Sequence, residues 1–241
     1  MKAVWLAKRN SKEILRDPLS LVLGVLLPVF FIVLFYIISK NAPIEVFNSV
    51  NIVPGVTVFG FTFTTMFIGL LIAKDKSSSF LTRLFISPLK SRDYIFGYFF
   101  PSLPVSFIIA VCCLLTGILV GIPLSWNLLF TFLSFLPFII FSSFIGIFLG
   151  AVCSENQVVA LGNIYIISSA MLGGAWMDLN VLGKNIKSVT DVLPFSHAIE
   201  ASRIILSGRP DNIWVHLLIV TGYAILFFFL SIFFFNKKMN L

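Results

Sequence analysis

The chain has 241 residues, 59% of them hydrophobic and only 11% charged, with 28 phenylalanines, a mean hydropathy of +1.04 and a net charge of +7. A soluble domain is roughly half apolar and about a quarter charged, so this composition excludes an ordinary water-soluble globule and makes lipid the solvent. The basic residues flank apolar blocks instead of forming a patch interleaved with stacking aromatics, which excludes nucleic acid as a partner.

Residues 1 to 17 read as a separate helix. At about 100° per residue, Val4, Ala7, Ser11, Ile14 and Leu15 share one face, and Lys2, Arg9, Lys12, Glu13 and Arg16 lie across from it. This is the pattern of a helix lying in the headgroup layer. Asp17-Pro18 then breaks it and opens the first span.

Six apolar blocks follow: 19–39, 52–73, 94–122, 128–152, 158–176 and 213–235. None holds a charged side chain, and a helix satisfies all its backbone groups internally, as the bilayer interior demands. Strand-like alternation is absent, so the fold class is all-α and polytopic, a single transmembrane domain over 1–241. No small-x-small cleavage site follows the first block, which therefore reads as a span and not as a secretory signal. Pro101 and Pro104 predict a kink near the start of the third.

Orientation follows from lysine and arginine. The amino-terminal segment, the 74–93 loop and the carboxy-terminal tail hold twelve of them, and the opposite side holds five: Lys40, Lys184, Lys187, Arg203 and Arg209. Both termini are expected in the cytoplasm.

The 74–93 loop is the longest polar stretch on that side. Ser77 to Ser79 can cap a short helix, Phe80, Leu81, Leu84 and Phe85 give it an apolar face, and Pro88 ends it. An amphipathic turn too short to cross a membrane wants a partner. On the other side, 177–212 contains a half-apolar helix from Pro194 to Leu206, stopped by Gly208 and Pro210, in which Glu200 and Arg203 are spaced to pair.

The chemistry of energy conversion is missing from the sequence. There is no Gly-x-x-x-x-Gly-Lys-Ser/Thr phosphate loop, so no ATPase activity is expected of this chain. His197 and His216 lack the neighbours of a metal cage, and Cys112, Cys113 and Cys153 have neither ligand spacing nor a disulfide framework. No Asp, Glu, Lys or Arg sits within a span, where an ion-coupled carrier would need a charge. A pathway without an ion site has to be driven through a handle at one face. Within the spans, Gly117/Gly121 and Gly146/Gly150 suit close helix packing, the threonines of span two can bond back to their own helix, and Asn163 should face protein or a cavity.

Together these features resemble the membrane subunit of an ABC-2 type exporter, the permease class related to the ABCG transporters. The resemblance covers the whole chain: Arg16-Asp17-Pro18 after the amphipathic helix, Val53-Pro54-Gly55 opening span two, Lys74-Asp75-Lys76 through Arg83-Leu84 to Ser87-Pro88-Leu89, and Leu193-Pro194 through Glu200-Ala201-Ser202-Arg203. Asp75 stands where the family often has Glu, Ser77 to Ser79 where Gly-Thr is common, and the usual Pro after span five is missing. The resemblance implies an elbow helix at the amino terminus, and a coupling helix within 75–90 (Asp75, Phe80, Leu81, Arg83, Leu84, Phe85 and Pro88) docked on a separate ATP-binding subunit. It also implies an outer re-entrant segment containing Glu200 and Arg203. Two permeases, identical or related, would pair with two ATPases, which hold the ATP and Mg, while this chain itself binds no cofactor. A path lined by spans two and five would place Phe59, Phe63, Met66, Asn163, Ile167 and Ala170 along it.

The function expected on these grounds is export of a hydrophobic or amphipathic solute (a drug, an antimicrobial peptide or a lipid) across a plasma membrane, in a bacterium. The alternatives are a lipid-linked glycan or polysaccharide exporter and an ion-coupled carrier.

Overall fold

The computed structural model describes residues 2–41, 47–78, 80, 91–177, 179, 183–209 and 211–239. Eleven helices run through them: α1 (Lys2–Leu15), α2 (Pro18–Asn41), α3 (Ser49–Ser77), α4 (Ser91–Phe99), α5 (Ser102–Leu119), α6 (Trp126–Ser134), α7 (Leu136–Val152), α8 (Glu155–Leu172), α9 (Lys184–Thr190), α10 (Pro194–Ser207) and α11 (Ile213–Met239). No strand occurs among the described residues.

Five stretches are long and apolar enough to cross a bilayer: Leu21–Asn41, Ser49–Ser77, Arg92–Leu119, Trp126–Val152 and Ile213–Lys237. The remaining block expected to span, 158–176, falls on α8. That helix has 18 residues, opens with Glu155, Asn156 and Gln157 and carries Asn163, so it is more polar than the other five. By length and composition five helices qualify among the described residues, one fewer than the six expected.

Two spans are broken where proline removes a backbone donor. Pro101 separates α4 from α5, as the sequence predicts. The fourth block breaks as well, between Ser134 and Leu136, which was not anticipated. Pro137 is the signal: it cannot donate back to the preceding turn, so α7 restarts with this proline in its first turn.

The centre of the molecule is α3. Every residue from Ile52 to Thr62 is buried, and α2, α5, α7, α8 and α10 all pack on it. Small residues let the backbones close. A Cβ added to Gly146 would meet the Thr65 carbonyl oxygen at 2.5 Å, and one on Gly150 would meet the Gly69 carbonyl oxygen at 2.7 Å. Gly146 and Gly150 thus serve packing within the chain. The hydroxyls of α3 divide between two tasks. Thr57 and Thr62 donate back to Val53 O and Phe59 O, both at 2.6 Å, whereas Thr65 donates to Ser142 O at 2.8 Å and Thr64 lies 3.3 Å from Ser106 Oγ. The last two join helices, because in lipid a hydroxyl has no water to fall back on.

The amino-terminal helix is present. Of the apolar face read from its sequence, Ala7 and Ile14 are buried against the bundle together with Leu6 and Asn10, while Val4 and Leu15 are 62% and 68% exposed. Leu6 enters the space left by Gly97: a Cβ on Gly97 would lie 2.5 Å from Leu6 Cδ2. At the opposite end of the bundle α10 ends at Gly208, whose φ of +68° is left-handed. That turn folds Arg209 back to donate to Glu200 Oε1 at 2.7 Å. Arg203, expected to pair with Glu200, reaches instead to Asn51 O at 3.0 Å and Gly174 O at 2.7 Å.

The tightest backbone approach provides a test. A Cβ on Gly55 would sit 2.3 Å from the Ala175 carbonyl oxygen, whereas one on Gly222 would meet nothing within 4 Å. Gly55→Ala should lower stability by about 1–3 kcal/mol, the usual cost of overpacking. Gly222→Ala should leave thermal unfolding in detergent unchanged.

Candidate functional site

From Ile52 to Asp75, every α3 residue is buried except Phe63, Met66, Phe67, Leu70 and Lys74. Steps of three and four place these five on one helical face. The face forms the floor of a groove between α2 and α8. Gly24 of α2 admits the Phe67 ring, whose Cζ lies 2.8 Å from where a Cβ would stand, and Gly162 of α8 admits Met66, whose Cγ would be 3.4 Å away.

Toward the start of α3 the groove is closed by rings. The centroids of Phe59 and Trp176 are 5.2 Å apart, those of Phe59 and Phe63 5.3 Å, and those of Phe31 and Trp176 5.4 Å. Edge-on arrangements of this kind add to the stabilisation that burial gives.

Four of the six residues expected along a path come together: Phe63 and Met66 of the floor pack against the buried Phe59 and Ala170, which cluster with Ile166, while Asn163 and Ile167 are on the exposed side of α8. Phe67 and Leu70 were missed, although both continue the face of Phe63 at helical spacing.

At the other end α3 carries the only acidic residue of its length, and the structure buries it. The Asp75 side chain is 4% exposed. Its Oδ2 accepts from Arg9 Nη1 at 2.5 Å and from Tyr98 OH at 2.7 Å, and its Oδ1 accepts from Arg9 Nη2 at 2.7 Å. Arg9 also donates to Asn10 Oδ1 at 2.9 Å, and Asn10 Nδ2 donates to Gly97 O at 3.0 Å. The Phe80 ring covers the guanidinium, 4.4 Å from Cζ to the centroid. Burial by itself works to lower the Arg9 pKa, but the hydrogen bond and charge of Asp75 outweigh it and raise the value, so the guanidinium keeps its charge.

Asp75 was expected to touch a partner protein. Its carboxylate is instead consumed inside the chain, fastening α1 and α4 to the end of α3. Leu81, Arg83, Leu84, Phe85 and Pro88 lie outside the described residues.

The next residues point the other way. Lys76 Nζ donates to Cys153 O at 2.5 Å and Gly150 O at 3.2 Å, and Ser77 Oγ donates to Glu155 Oε1 at 2.5 Å. One short stretch of α3 thus ties together α1, α4, α7 and α8 immediately before the loop.

α3 thus runs from an apolar open face at Phe63 to Leu70 to a polar, fastened end at Lys74 to Ser77, a layout that suits a membrane pathway. Residues 2–207 match the family described as ABC-2 type transporter. The chain belongs to this family. It is 26% identical over 214 residues to "Putative transport permease ycf38" of Cyanophora paradoxa, covering 84% of this chain and 73% of that protein. To "Putative transport permease YvfS" of Bacillus subtilis it is 21% identical over 231 residues, 92% of each chain. It also matches "ABC transporter G family member 20" of Dictyostelium discoideum, at 26% over 175 residues, which is 68% of this chain and 23% of that longer protein. The chain is a multi-pass membrane protein of the ABC-2 type.

In this ABC-2 chain the Asp75 anchor is open to a direct test. Arg9→Met strands a buried carboxylate and should cost about 3 kcal/mol, the low end for such a loss because Arg9 keeps about a third of its surface in solvent. Tyr98→Phe removes one hydrogen bond to a charge and should cost about 2 kcal/mol. Combining Arg9→Met with Asp75→Leu should cost less than the two single losses added together, as thermal unfolding of the purified protein would read.

Proposed function

We propose that this chain is the membrane-spanning permease subunit of an ATP-driven exporter that moves a hydrophobic or amphipathic solute out of the cell by alternating access. In this reading both termini are cytoplasmic, the membrane is the plasma membrane of a bacterium, and α8 serves as the fifth of six crossings. α1 is an elbow helix in the headgroup layer, and α9 and α10 form an outer re-entrant segment. Two copies of a separate ATP-binding subunit hold ATP and Mg and dock on the 75–90 segment through Leu81, Arg83, Leu84, Phe85 and Pro88. A second permease, the same or related, covers the groove and completes the path.

The observation that carries the reading is the double use of α3. One rigid helix supplies the groove floor from Phe63 onward and, about 18 Å farther on at 1.5 Å per residue, the Asp75 anchor before the loop. Movement of that loop cannot leave the floor undisturbed. Asp75 acts in this scheme through Arg9 and Tyr98, holding α3 in register, and the docking contacts fall to the loop residues that follow.

The solute class follows from the floor. Phe63, Met66, Phe67 and Leu70 offer apolar, deformable surface without fixed charge, which suits a lipophilic body better than an ion. A carrier coupled to an ion gradient would put an ionisable group midway along this floor. A glycan exporter would present a row of free ring faces, whereas Phe31, Phe59, Phe63 and Trp176 turn on one another.

The test is to look for an ABC ATPase in the neighbouring reading frame and to co-express it with this chain. The two should purify together in detergent. Leu84→Asp with Phe85→Asp should release the ATPase while the permease remains in the membrane fraction. An ATPase that stays bound to that variant would remove residues 75–90 from the docking role.

A further inference from the structure

Lys76 follows Asp75 in sequence but belongs to a second fastening. Its ammonium donates to three carbonyls, Gly150 at 3.2 Å, Ala151 at 3.4 Å and Cys153 at 2.5 Å. The first two lie in the last turn of α7, where helical carbonyls have no partner of their own and the helix dipole favours a cation. The third belongs to the link between α7 and α8. Beside it Ser77 Oγ donates to Glu155 Oε1 at 2.5 Å, and Ser154 and Gln157 form a reciprocal cap on the first turn of α8. Two consecutive residues at the end of α3 therefore set where α8 begins.

Farther along, α8 depends on α3 almost alone. It packs along α3 and only lightly on α7 and α10. Gly69 of α3 lies beside Val158, and Met66 beside Gly162. A displacement reaching the end of α3 meets the α8 wall of the groove through two polar contacts, the Ser77 hydroxyl on Glu155 and the ammonium of Lys76, and Lys76 alone grips the end of α7 and the link that leads into α8.

We propose that Lys76 is a positioning residue that transmits movement of the end of α3 to the start of α8, so that the floor and this wall of the groove move together. The proposal rests on the ATP-driven reading above. Lysine suits the task because one ammonium carries three rotatable donors on a flexible stem and can serve three carbonyls at once.

The experiment uses the permease–ATPase complex in lipid nanodiscs, with Cys112, Cys113 and Cys153 changed to alanine and the exposed Ala160 of α8 changed to cysteine as a reporter. Maleimide labelling at 160 is followed with and without ATP and vanadate. With Lys76 present, nucleotide should change the labelling rate by about threefold or more. Lys76→Met should abolish that change while the ATPase stays bound and keeps hydrolysing ATP, and Lys76→Arg should restore it. A full nucleotide response in Lys76→Met would overturn the proposal. If no ATPase binds the Lys76 chain, the reading of the preceding section fails, and the clamp is decided by hydrogen exchange alone. Amides of 154–158 should then exchange about tenfold faster in Lys76→Met, and an unchanged rate would refute the clamp.

Discussion

A carboxylate that water barely reaches has to be surrounded by donors, and Asp75 finds them on two other helices. Arg9 comes from α1 and Tyr98 from α4, so the charge cannot be satisfied unless α1 lies across the end of α3 with α4 beside it. Removing a charge from water costs several kcal/mol, and only close, well-directed partners repay it. The amino-terminal helix is thereby fixed in both position and rotation. It is a packed element of the bundle, with Leu6 seated at Gly97 and Asn10 bonded to the backbone there.

The rotation of α1 shows where local sequence stops being informative. Its amphipathic pattern is visible from residues 2 to 15, but the pattern does not single out Leu6 and Asn10 as residues that meet the bundle. Val4 and Leu15 are apolar but outward, while Arg9 is drawn inward by a residue 66 positions away. Amphipathicity measures preference for an apolar surface and carries no information about a buried charge waiting on another helix. The same holds for Glu200. Its spacing from Arg203 is favourable, but the left-handed Gly208 brings Arg209 closer, and Arg203 has carbonyls of α3 and the α8 terminus to serve.

Features governed by neighbouring residues were legible. The break at Pro101, the bounds of α10 from Pro194 to the glycine stop, and most of the apolar spans follow from donors present or absent along the chain. The break at Phe135 had an equally local cause in Pro137 and was readable in principle. The groove floor was half legible. A helical period through Phe63 and Met66 also runs through Phe67 and Leu70, but which face of an all-apolar helix stays open is decided by five neighbours packing around it. The glycines that bring those neighbours close are visible in sequence, whereas their partners are not.

Charge distribution decides where force can be applied to such a molecule. Phe63 to Leu70 carry nothing that an ion or a field could pull on, and the ionic groups collect at the ends of α3. Asp75, Arg9 and Lys76 gather at one end, and at the other Arg203 binds the Asn51 and Gly174 carbonyls. Between them the helix is buried on most sides, with Gly146 and Gly150 of α7 in contact with its backbone, so it can shift or rotate as a unit more readily than it can bend. A displacement entering at Lys74 to Ser77 would therefore arrive at Phe59 and the ring closure with Trp176 little diminished. Phe59 meets Phe63 and Trp176 edge to face and Phe31 tilts against Trp176, contacts that can part and reform without stranding a ring-to-ring hydrogen bond in lipid. Under the proposed export cycle, polar fastening at the Lys74 to Ser77 end and apolar closure at the far end are what the bilayer permits: the first would hold through every cycle, and the second would open.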